Sequence, residues 1–303
     1  MSVSLKKILP LLTAGAFILT TSHAAIPTAP DAAIEAIAKE LNDGNGGILW
    51  DAMPASYQVD VNAIAQLAGS KIDAEIYDKG FGLVNRLADV ASKQKDFILN
   101  TQLGGGQSAD QIAKLEAAWP AIIGFVKTLT GSSIGTAAGL QSFDGQAFCE
   151  QTVSALVDYS KQLAVLTDEP IPLDFGTVKL LESTDTTAVL EMTSPDGSVE
   201  IAEVTLVESR WVPSEMASTW TRDLAAAKAQ LEAISPSEMA QMKPQIMGAI
   251  TMFEGVLTQL DAAKTQEQFD QALQGAMMPI MGLMMMQGGM GGGAPMAPTA
   301  PVQ

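Results

Sequence analysis

The sequence predicts an α+β protein that is mostly helical: an antiparallel helical bundle, then a small three-stranded antiparallel sheet, then C-terminal helices. Three observations predict it. Apolar residues recur mostly three, four or seven apart from about Tyr57 to Phe97, the period of a helix face. The period shortens to two across VKLLES, AVLEMTS and VEIAEVTLVESRW, and after RWVPSEMASTW it lengthens again. Aromatic residues make up only 5% of the chain, so alanine, leucine and methionine supply much of the apolar volume, which suits helix-on-helix packing.

The elements follow in order. A proline-rich arm, AAIPTAP, precedes a short helical pattern with Ile34, Ile37 and Leu41, and NDGNGG then reads as a flexible loop. Ile64, Leu67, Ile72, Ile76, Leu83, Leu87, Val90 and Phe97 form one stripe of a long helix or a broken pair, with Gly80 and Gly82 as its weak points. LGGGQ closes that stretch, and Ser108 with Gln111 three residues on makes a capping box. Ile112, Leu115, Trp119, Ile122, Ile123 and Val126 are the next apolar face. Pro120 has no amide proton to donate, so a kink or two shorter helices are expected there. A further helix is expected over 145–166.

The three strand-like runs are separated by TDTT and by PDGS, whose proline, aspartate and glycine are turn formers. Ala202, Val204 and Leu206 alternate with Glu203 and Thr205, giving one packed and one wet face. Beyond them Met216, Trp220, Leu224, Ala227, Leu231 and Ile234 form a helical stripe, with Ser214 expected to cap it. In SPSE, Ser235 caps a second helix, Pro236 takes its first position and Glu238 closes the capping box. Pro244 predicts a bend. TQEQ at 265–268 opens the last helix, which runs into a methionine tract, and residues 287–303 read as disordered by composition.

The first 24 residues have the three parts of an export signal: Lys6 and Lys7, an apolar stretch from Ile8 to Leu19, and the small-x-small site Ser22-His23-Ala24. The expectation is cleavage after Ala24 and a soluble periplasmic product. No stable membrane anchor is expected, because the apolar stretch is short for a bilayer. Cleavage takes away the single histidine, His23, and two of 17 basic residues. That leaves 15 against 34 acidic ones, a formal charge of −19 in place of −17. Such a surface repels nucleic acid and anionic membranes.

Without histidine, Ser-His-Asp, Cys-His and His-ligated metal chemistries all fall. Cys149 is the only cysteine, so no internal disulfide can form. Its helical context, with Phe148, Thr152, Ala155, Leu156 and Tyr159, reads as a buried, inert thiol, the alternative being a reactive or intermolecular one. Carboxylates remain for catalysis: Glu200, Glu203 and Glu208 near the sheet, and Asp168 with Glu169 before it. RWVPSEMASTW admits two readings. Either Trp211 plugs a strand–helix corner, or Trp211 and Trp220 wall a ligand pocket in which Arg210 grips an anion.

Residues 277–296, MMPIMGLMMMQGGMGGGAPM, hold eight methionines, six glycines and no charge. Leu273, Met277, Ile280, Met281 and Met284 lie three or four apart, as a docking helix requires, and methionine adapts to irregular apolar surfaces. Alternatively, the tract is low-complexity sequence without a selected function, or Met278, Met281, Met284, Met285 and Met286 converge on Cu(I) or Ag(I), for which neutral thioether sulfur is a suitable soft ligand.

The expected domains are a signal peptide over 1–24, a helical region over 25–167, a sheet with helices over 168–286, and a Gly/Met/Pro-rich tail over 287–303. The sequence leaves open whether the sheet and last helices stand apart or complete the earlier core. The expected function is a non-enzymatic binding or scaffolding role through the helical body and the methionine-rich helix. Its partner is an unidentified protein or a second copy, and no cofactor is called for. Two alternatives stand beside it: Cu(I)/Ag(I) sequestration by the tail, and a small-ligand module or histidine-free carboxylate enzyme.

Overall fold

The computed structural model describes residues 26–101, 108–166 and 176–275. Helix α1 (Pro30–Asn42) begins on a proline, whose missing N–H costs nothing in a first turn. A short α2 (Ile48–Asp51) leads into α3 (Ala55–Lys71) and α4 (Ala74–Lys93). The long apolar stripe is broken between these two, at extended Ile72 and at Asp73, whose carboxylate accepts from the Ile76 N–H. The expected weak points, Gly80 and Gly82, lie inside α4 instead. Nothing crowds either of them, so the helix continues through both.

After α5 (Lys95–Asn100), α6 (Ala109–Gly131) opens on the Ser108–Gln111 capping box with both reciprocal bonds formed. Pro120 sits within α6, which stays one helix and not two. Then come α7 (Ala137–Gln141), α8 (Gly145–Ala147), a π-helix over Phe148–Val153 and α9 (Ser154–Leu163). Helices α4, α6 and α9 pack in sequence. Gly124 lets α6 approach α9, since a β-carbon there would lie 2.4 Å from the Tyr159 ring.

NDGNGG is a packed wedge and not a free loop. Gly44 has φ +96°, the Gly46 N–H donates to Ser154 Oγ, and a β-carbon on Gly46 would come within 2.5 Å of the Ser154 nitrogen. Only glycine permits that approach.

The sheet has four strands and not three: β1 (Thr177–Ser183), β2 (Thr187–Thr193), β3 (Val199–Val207) and β4 (Arg210–Pro213), antiparallel and in chain order. The run read as one strand turns back on itself at Glu208 and Ser209, with φ +49° and +66°. Val178, Ala188, Leu190, Val204 and Trp211 form its packed face, covered by Ala33 of α1. Leu190 is fully buried, and Ala188 faces Val204 across the β2–β3 ladder, as period-two patterning requires.

Helix α10 (Ser214–Glu232) follows β4 directly, with Pro213 as its N-cap. Ser214 is the first residue of the helix and not its cap, and its hydroxyl pairs with that of Thr205. Helix α11 (Pro236–Ala262) is capped by Ser235, which accepts from the Glu238 N–H, and runs unbroken through Pro244. A last helix, α12, covers residues 266–275 and places Phe269 and Leu273 against Val90 and Leu257. Buried Gln94 donates its amide to the carbonyls of Leu260, Asp261 and Ala263, satisfying acceptors that the end of α11 leaves open. Contacts cross residue 167 both ways: α1 packs on the sheet, α10 on α3, and α11 on α4. No helix among the described residues is long and apolar enough to cross a membrane.

Candidate functional site

Helix α10 carries the stripe Met216, Trp220, Leu224 and Ala227, yet none of its residues is fully buried. It packs against α3, where the Trp220 indole stacks on Tyr57 with centroids 3.9 Å apart. A cavity of about 740 Å³ lies beside that contact. Val61, Ile64 and Ala65 of α3 form one wall and the α10 stripe the other. Ile134 and Phe143 close the end.

These end residues are pinned. The Tyr77 hydroxyl donates to the Ile134 carbonyl at 2.6 Å, and the Gln66 amide donates to the Phe143 carbonyl at 3.1 Å. The cavity is therefore walled by residues fixed from behind.

Polar groups sit at the margins. Asp60, Glu215 and Asp223 are carboxylates on the lining. Asp60 accepts from the Trp220 indole N–H at 2.8 Å. Asp223 is held below the usual carboxylate range by bonds from Thr219 and from the Arg222 guanidinium. Among the described residues the cavity has no basic lining side chain, and Arg222 pairs with Asp223 alone of the three carboxylates, so negative charge prevails at the margin. The arrangement suits an apolar body, with any charged end positive.

The three residues predicted to share a pocket do not converge. Trp220 lines the cavity. Trp211 lies in the core between sheet and α1, where its indole N–H donates to the Thr28 carbonyl. Arg210 donates from Nε to the Asp51 carbonyl at 2.6 Å, away from the cavity. Its neighbour Glu208 reaches the same corner and accepts from the Ser56 N–H in the first turn of α3, which holds its carboxyl below the usual range. Arg210 and Glu208 thus clasp the α2–α3 corner.

Glu200 and Glu203 are exposed on β3. Asp168 and Glu169 lie outside the described residues, as do Met278, Met281, Met284, Met285 and Met286. Cys149 is half-buried, and burial, with Asp51 and Glu150 nearby, pushes its thiol up. Among the described residues no cluster of three or more His, Cys, Asp or Glu side chains could hold a metal ion.

Sequence reasoning missed Asp60, Ile134, Phe143, Glu215 and Asp223 as lining residues. The spacing of Asp60, Val61, Ile64 and Ala65, three and four apart on α3, was the available signal. GSSIG at 131–135 has the G-x-S-x-G spacing. It joins the end of α6 to a 3₁₀ turn, however, with no strand before it, so it does not build a nucleophile elbow. Compared with models of protein families, with curated proteins and with solved structures, the chain matches none.

Proposed function

We propose that this chain is an exported, non-enzymatic binding protein that holds an apolar ligand in the cavity between α3 and α10. The observation that carries the reading is the stripe of α10, which is only partly covered and borders an apolar cavity. Amphipathic helices gain most of their stability by burying the apolar face, and this one leaves Met216 40% exposed above an apolar hollow. Small-molecule sites are mostly apolar clefts of about 300–1,000 Å³ with a few placed polar groups, and the cavity fits that description. The acidic margin selects against fatty-acid-like anions and favours neutral or cationic ligands.

Nile red, a neutral apolar dye, tests the site. Ala227 is half-exposed on the cavity wall, so Ala227→Trp fills the hollow without displacing core. Saturable dye binding by the parent, lost in Ala227→Trp at unchanged thermal stability, is the expected result. Non-saturable binding, or binding that ignores the substitution, contradicts it.

A further inference from the structure

A second cavity, of about 450 Å³, backs onto the first. Phe143 lines the apolar one and Phe148 the other, and the two rings touch at 5.4 Å between centroids. The chemistry of this second wall is the opposite. Thr128, Ser133, Gln151 and Thr152 present neutral donors and acceptors, Asp144 the one carboxylate and Phe148 an apolar ring. Among the described residues no basic side chain lines it, so it offers an anion no counter-charge.

Thr152 marks the cavity as more than a gap. It is 8% exposed, yet its hydroxyl makes no hydrogen bond among the described residues. Among the described residues no fully enclosed side-chain oxygen lacks a partner, so the Thr152 hydroxyl faces the open space of the cavity it lines. Thr152 lies in the π-helix over Phe148–Val153, which also brings Phe148 and Gln151 to the cavity wall. The Gly46 wedge secures this winding from behind, through the Gly46 N–H on Ser154 Oγ. π-Helices are rare and concentrate at functional sites. A hydroxyl on a cavity wall with no partner in the protein can both donate to and accept from a ligand.

We propose that this cavity binds a neutral polyhydroxylated molecule, a saccharide or polyol. Such ligands bring many hydroxyls, each able to donate and accept, which is what a wall of hydroxyls, one primary amide and one carboxylate can satisfy. The Phe148 ring supplies a surface for the apolar C–H face of a pyranose. This inference stands independently of the apolar-ligand reading.

The same hydroxyl chemistry is carried by a free sugar and by the head of a glycolipid. Saturation-transfer NMR on the full chain would therefore use methyl β-D-glucoside, methyl β-D-galactoside, methyl β-N-acetylglucosaminide and myo-inositol, with octyl β-D-glucoside as the lipid-like arm. At least one probe is expected to show saturation transfer. Its affinity is expected to fall roughly threefold to tenfold in Thr152→Val and in Gln151→Ala, the loss of one net hydrogen bond. Thr152→Val removes an unpaired hydroxyl, so its melting temperature stays level or rises, which separates lost binding from lost folding. Tighter binding of the octyl than of the methyl glucoside, with the gain lost in Ala227→Trp, assigns the head of a glycolipid; equal binding assigns a free sugar. Transfer to none of the probes, or transfer unchanged in both variants, overturns the proposal.

Discussion

The Tyr57 ring lies flat against the Trp220 indole, with centroids 3.9 Å and planes 8° apart. Tyr57 is buried, whereas Trp220 is only partly so and turns its remaining edge to the cavity. One tryptophan therefore anchors α10 to α3 and walls the candidate site. Its N–H is satisfied by Asp60, one of the carboxylates at the margin.

Trp220→Phe keeps an aromatic face on Tyr57 but gives up the bond to Asp60, and is expected to cost about 1 kcal/mol. Trp220→Ala removes the stack as well and is expected to cost about 2–3 kcal/mol, less than a fully buried tryptophan because one edge already faces the cavity. Urea unfolding followed by far-ultraviolet circular dichroism checks both. Equal, near-zero losses would show that α10 does not depend on this contact.

Two glycines should respond oppositely to alanine. Gly46→Ala drives a methyl group into the Ser154 nitrogen and the Cys149 carbonyl, which are backbone atoms and cannot swing aside. A loss on the order of 3 kcal/mol is expected, with the π-helix disturbed. Gly80→Ala meets open space within α4 and is expected to stabilise by about 0.5–1 kcal/mol through helix propensity. Paired denaturation midpoints decide it.

Those contrasts show what the sequence could and could not convey. Capping is local chemistry, so Ser108–Gln111 and Ser235 were legible as helix starts, and the turn residues of PDGS marked the β2–β3 connection. The β3–β4 hairpin was not legible. Two-residue hairpins favour Asn-Gly or Asp-Gly for their positive φ, whereas here Glu208 and Ser209 adopt it, and Glu208 is held by an N–H that lies 152 positions away in the chain. The break at Ile72–Asp73 hid behind glycines that looked weaker. For the site, periodicity identified the apolar face of α10 but carries no information about what covers that face. Asp60 and Phe143 come together with Trp220 only in the folded chain.

Stability should fall in acid partly through Lys243, whose ammonium lies 2.9 Å from both Asp73 and Glu75. Hydrogen bonds from Lys243 are the largest cause holding each carboxyl below its ordinary value, with Lys79 also helping Glu75 and the Ile76 N–H helping Asp73. Lowered carboxyl values mean that this contribution is present above the ordinary carboxylate range and fades as pH falls from about 5 to about 2. Lys243 is raised in turn, so its own share is lost only in alkali, above about pH 10. Lys243→Met is expected to be less stable than the parent at pH 7, with the difference narrowing steadily from pH 5 to pH 3. Denaturation midpoints at pH 7, 5, 4 and 3 would reveal a constant gap if the pair does not contribute.

The central claim is that the α3–α10 cavity accepts an apolar body and that its acidic margin sets the sign of any charge. Calorimetric titration of decylammonium and decanoate, matched in chain length and opposite in charge, tests it most directly. The account predicts saturable 1:1 binding of decylammonium, roughly fivefold or more tighter than decanoate, corresponding to about 1 kcal/mol of favourable charge interaction. That binding should disappear in Ala227→Trp. Decanoate binding as tightly as decylammonium, or neither binding saturably, would contradict it.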